Sequence, residues 1–165
     1  MNPDAVMVTE MQALHRRWPE LTGGVLAGTD GLLIASDLPA TDATHLAALV
    51  AASFGLGQRM ADTVGRGEFH DSVLRTSTGH VITCPAGLYA VLALICRPVG
   101  DLAGLRSAAR EVARRAGAAF DAHRVGVAAV NLTQGHAPLA VRTPMATLPA
   151  QLRRSRPTAW RRPPI

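Results

Sequence analysis

The sequence predicts an α/β (α+β) sandwich: a five-stranded antiparallel sheet with helices on both faces, in the order α-β-β-α-β-β-β-α. Three observations predict it. Asp30-Gly31 sits between two apolar runs in GVLAGTDGLLIAS (24–36), a strong hairpin signal. The run LYAVLALIC (88–96) is almost wholly apolar, as expected of a strand covered on both faces. Three longer stretches repeat apolar residues at helical spacing, one before the hairpin, one after it and one after the apolar run.

Asn2-Pro3 is a good helix start, an N-cap followed by proline at the first helical position. Met7, Met11, Leu14 and Trp18 then form one apolar stripe that ends before Pro19. Strands at about 23–29 and 32–37 follow, joined by Asp30-Gly31 with both turn residues at positive φ. After Pro39, Thr41 or Asp42 can cap a helix that runs to about Val64 and stops at the Gly65-Arg66-Gly67 stretch. With residues placed 100° apart, Leu46, Leu49, Val50, Phe54, Leu56, Met60 and Val64 fall within an arc of about 160° that should face the sheet.

The reverse side of that helix carries Ala47, Ala48, Ala51, Ala52 and Gly55, and no charge occurs between Leu46 and Gly57. A water-facing helix is normally dotted with charges, so a smooth small-residue face is read as partly covered by a partner; a general alanine bias of the chain is the alternative. Three further strands are expected at about 68–76, 80–84 and 88–96, turned by Ser77-Thr78-Gly79 and Pro85-Ala86-Gly87. Asp101 can cap a last helix with Leu102, Leu105, Ala109, Val112, Ala116 and Phe120 along one side.

The charge is divided unevenly. Residues 1–121 hold 10 arginines and 12 acids, a net of −2, whereas residues 122–165 hold 7 arginines and no acid, a net of +7. The expected organisation is therefore a domain over 1–121 and an Arg/Pro-rich, disordered tail over 122–165. Val125–Leu132 is apolar enough to add a short strand or to pack on the domain. In the tail, Arg153, Arg154, Arg156, Arg161 and Arg162 would attract phosphates, an anionic membrane or an acidic protein. The opening residues lack the uninterrupted apolar region of a secretory signal, which makes the chain cytoplasmic by expectation.

Reactive chemistry finds little support. All 17 basic residues are arginine, which excludes a P-loop lysine or a Schiff-base lysine. His70-Asp71-Ser72 names three triad residue types, but consecutive strand side chains point to opposite faces. His70, His80 and Cys84 do not converge at metal-ligand spacing, and there is no CxxC pair. Cys84, expected opposite Leu88, and Cys96, expected opposite about Thr76, read as buried free thiols. No catalytic residue, metal, cofactor or small-molecule substrate is assigned.

In this order and at these spacings, GVLAGTDGLLIAS (24–36), DATHLAALVAASFGLGQRMA (42–61) and GHVITCPAGLYAVLAL (79–94) resemble the roadblock/dynein light chain 7 family, notably its short bacterial members found beside small Ras-like GTPases. The likeness covers about residues 5–121. It implies a non-enzymatic module that forms a homodimer, or a heterodimer with a paralogue, through its second helix and third strand. Carried over by position, the dimer contacts include Ala48, Ala51, Ala52 and Gly55 on the helix and Phe69, Asp71 and Val73 near the strand. It also implies a regulatory or scaffold role in which the dimer binds and modulates a Ras-like GTPase. The alternative is a binding module that uses its basic tail on nucleic acid or an anionic membrane.

Overall fold

The computed structural model describes residues 3–133, with side-chain surroundings for 5–39 and 42–126. Its elements follow the expected order: α1 (Pro3–Arg17), β1 (Leu21–Gly28), β2 (Leu33–Ser36), α2 (Ala40–Val64), β3 (Ser72–Thr76), β4 (Gly79–Ala86), β5 (Ala90–Cys96) and α3 (Leu102–Thr133). The strands form one antiparallel sheet in the order β2-β1-β5-β4-β3. This is the predicted fold class.

The sheet divides two apolar clusters, and β5 feeds both. Ala90, Leu92, Leu94 and Cys96 point to the side of α1 and α3, where Met7, Met11, Leu14, Trp18, Leu105, Ala109, Val112 and Ala116 close the main core. Val91 and Ala93 point to α2, meeting Val25, Ala27, Ala43, Ala47, Val50 and Phe54. A strand buried on both faces cannot alternate polar and apolar residues, which is why LYAVLALIC reads as one apolar run.

Several local expectations are corrected. Only Gly31 in the first hairpin turn has positive φ (88°), and Asp30 does not. Gly31 N–H donates to Gly28 C=O at 2.9 Å and Gly28 N–H to Leu32 C=O at 2.8 Å, the pattern of a longer loop whose last residue alone is left-handed. Neither Thr41 nor Asp42 caps α2: Pro39 occupies the N-cap without a side-chain hydrogen bond, and Gly65 ends the helix at φ 60°. The β4–β5 turn lies at 87–89, so Cys84 faces Leu92 and Cys96 faces His80. Both cysteines are buried and free, as read from the sequence.

The last helix is longer than composition implied. It crosses the expected boundary at 121/122, and Val125–Leu132 is helical rather than a strand. Asp101 does cap it, accepting from Gly104 N–H at 2.8 Å. The arginines at 153, 154, 156, 161 and 162 lie outside the described residues.

Candidate interaction surface

The orientation of α2 is set by its small residues. Ala43, Ala47, Val50, Ala51 and Phe54 form the buried stripe, and alanines every four residues let the helix lie close on the strands. Helix and hairpin turn meet where a β-carbon on Gly31 would sit 3.5 Å from Ala48 Cα. Of the seven large residues expected on the sheet, Leu46 is half-buried, Val50 and Phe54 are buried, and the others turn away. Leu49, Leu56, Met60 and Val64 are between 53% and 63% exposed. An arc of about 160° is wider than one close-packed contact can bury, and the narrow alanine stripe takes precedence.

The outward side of α2 is therefore richer in apolar surface than the sequence indicated. Ala48, Ala52 and Gly55 are exposed there as expected. Leu49, Leu56 and Met60 recur at i, i+7 and i+11, a second stripe on the same helix. The signal for it was present: two interleaved sets of apolar positions, one of small and one of large residues, with no charge between Leu46 and Gly57. Ala51, by contrast, is buried.

Among the described residues the sheet has two edge strands, β2 and β3, and α2 packs chiefly on β1, β2 and β5. Among the described residues β3 pairs only with β4, so the backbone groups on its other side face outward. Leu74 on β3 is also exposed. Phe69 precedes the strand, half-buried, its ring edge-on to Phe54 with centroids 5.8 Å apart. Val73 packs inward on the core under α3.

Asp71 is the best-held polar group of this region. Its side chain is 2% exposed. One oxygen accepts from Arg106 Nε at 2.8 Å and the other from Arg110 Nη1 at 2.8 Å, so the start of β3 is tied to α3 by charge-assisted bonds. The thiol of Cys84 is pushed up to about 12, first by burial and then by the Asp71 charge, against a smaller opposing pull from Arg110 and Arg106. Burial also raises Cys96. Neither thiol is poised as a nucleophile at neutral pH.

The histidines are dispersed. His15 Nε2 bonds Asp37 at 2.9 Å, linking α1 to the end of β2, so it is more than a surface residue. His45 and His70 are exposed, and His80 is half-buried opposite Cys96. What the fold presents is a contact surface: a helix side that bears large apolar residues and no charge between Leu46 and Gly57.

Comparison with known proteins agrees with this architecture. The Roadblock/LC7 domain family matches residues 7–96, more than half of the chain. A Roadblock/LC7 domain from Streptomyces avermitilis is similar at 25% identity and TM-score 0.60, covering 68% of this chain and 92% of that one. MglB of Myxococcus xanthus shares the fold at 20% identity and TM-score 0.61, over 73% of this chain and 95% of its own. The uncharacterized protein MJ0310 of Methanocaldococcus jannaschii is 34% identical over 68 residues, 41% of this chain. That match spans only 60% of the relative's length. With the element order, the sheet topology and the family match in agreement, the chain belongs to the Roadblock/LC7 domain family.

Proposed function

We propose that this chain is a non-enzymatic regulatory module that dimerises through the outer side of α2 and the β3 edge, and that the dimer binds and modulates a small Ras-like GTPase. The observation that carries the reading is the second, exposed apolar stripe of α2. Family membership supports it, and so does the absence of charge between Leu46 and Gly57.

Magnitudes favour association through large residues over a stripe of alanines alone. Burying one large aliphatic side chain contributes roughly 1.5–3 kcal/mol. Four such residues from each of two copies, each a little over half exposed, would contribute roughly 7–14 kcal/mol, the size of an association cost of about 4–15 kcal/mol; alanines and a glycine would contribute far less. Two α2 helices meeting across a two-fold axis would bury the stripe on itself, and antiparallel β3 edges would continue the sheet.

The partner reading is tested by retention of purified Ras-like GTPases, loaded with GDP or with a non-hydrolysable GTP analogue, on the immobilised full chain. Retention of a GTPase in one nucleotide state over the other is expected. Equal or absent retention of every candidate in both states would leave a dimer without this partner.

A further inference from the structure

A second exposed apolar surface lies on the opposite side of the sheet from the α2 stripe. At the β4–β5 tip, Leu88 is 78% exposed and Tyr89 46%, and Val125 on α3 is 70% exposed. The tip is tied to α3 and to the first hairpin. Asp121 Oδ2 accepts from Leu88 N–H at 2.9 Å, and Thr29 N–H donates to Tyr89 C=O at 2.9 Å. The Arg124 guanidinium lies 4.6 Å from the Tyr89 ring centroid. Val125 stands one helical turn beyond Asp121 and so beside the tip.

From here the chain becomes apolar and then cationic. Val125–Thr133, the end of α3, contains no ionisable residue. After Thr133 come Arg142, Arg153, Arg154, Arg156, Arg161 and Arg162, with no acid. The body over 1–121 carries a net of −2 and offers no comparable attraction to an anion.

We propose that this end of the molecule is a peripheral attachment site for an anionic phospholipid surface. Leu88, Tyr89 and Val125 enter the headgroup boundary, Arg124 sits at the interface, and the arginines beyond Thr133 supply long-range attraction. Stable membrane association needs two weak signals together, an apolar insertion and a basic segment, and the chain places them in succession. An aromatic ring stacked under a guanidinium suits the boundary between lipid and water. Nucleic acid is the poorer fit, since its phosphates would leave Leu88 and Val125 in water.

The test is co-sedimentation of the full chain with vesicles of phosphatidylcholine alone and of phosphatidylcholine mixed with phosphatidylglycerol. Binding is expected only to the mixed vesicles and should weaken as salt is raised. The double variant Leu88→Ser with Val125→Ser alters two exposed side chains, and an unchanged thermal melt confirms that it folds. It should bind the mixed vesicles at least about tenfold more weakly, as should the chain ended after Thr133.

No binding to the mixed vesicles overturns the proposal. So does a smaller loss in either variant, because the tip or the arginines would then be idle. Release of the protein from the vesicles by short duplex DNA at equal phosphate concentration also overturns it, assigning the arginines to nucleic acid instead.

Discussion

Cys84 shows how far burial sets the chemistry of a single side chain. It faces Leu92 within the main core, and burial, then the nearby Asp71 carboxylate, raises its thiol from an ordinary value of 9.0 to about 12. A pKa raised on folding gives stability that is complete below the unfolded value and is lost as pH climbs toward the folded one. We therefore expect the stability difference between the wild type and Cys84→Ala, from urea unfolding, to be constant up to about pH 9. Above that it should shrink by about 1.4 kcal/mol per pH unit. A difference that stays flat to about pH 11 would show that the thiol ionises freely.

The burial of both cysteines was legible in the sequence, and their register was not. The β4–β5 turn is fixed by Asp121, 33 positions further along the chain, which accepts from Leu88 N–H. A local reading of Pro85-Ala86-Gly87 has no access to that bond. In the same way, the single left-handed residue of the first turn, Gly31, rests under Ala48 of a helix that has not yet formed in the sequence.

At the scale of elements, helix periodicity was read correctly and helix orientation was not. The α1 and α3 stripes are narrow, so spacing alone identifies their buried sides. Apolar residues surround much of α2, and the choice of side depends on which set packs closest, which favours Ala43, Ala47 and Ala51. The end of α3 does not follow composition: the residues turn acid-free and cationic after Asp121, while helical geometry continues to Thr133.

The link between β3 and α3 was not legible at all, since nothing in the sequence associates Asp71 with Arg106 and Arg110. We expect Asp71→Ala to lower unfolding stability by about 2–3 kcal/mol in urea titration, because both charge-assisted bonds are lost at a buried acceptor. Arg106→Ala should cost less, since Arg110 remains bonded to the other carboxylate oxygen. A loss below about 0.5 kcal/mol for Asp71→Ala would place it with ordinary surface pairs.

Across the whole molecule, the sheet separates two surfaces with different characters. One bears the outer stripe of α2, uncovered among the described residues. The other joins the Leu88–Tyr89 tip to the end of α3 and to the arginines that follow. On the proposed reading such a chain acts by contact: what it does depends on which surfaces it covers and what it brings together.

The central claim is that α2 is a seat for a second copy, and sedimentation velocity on the full chain and on Leu49→Glu with Leu56→Glu tests it most directly. Both side chains are exposed in the single chain, so the variant should melt as a folded domain. We expect the wild type to sediment as a dimer and the variant as a monomer, because facing glutamates would be buried without partners. A wild type that sediments as a monomer at high concentration, or a variant that stays dimeric, would contradict the claim.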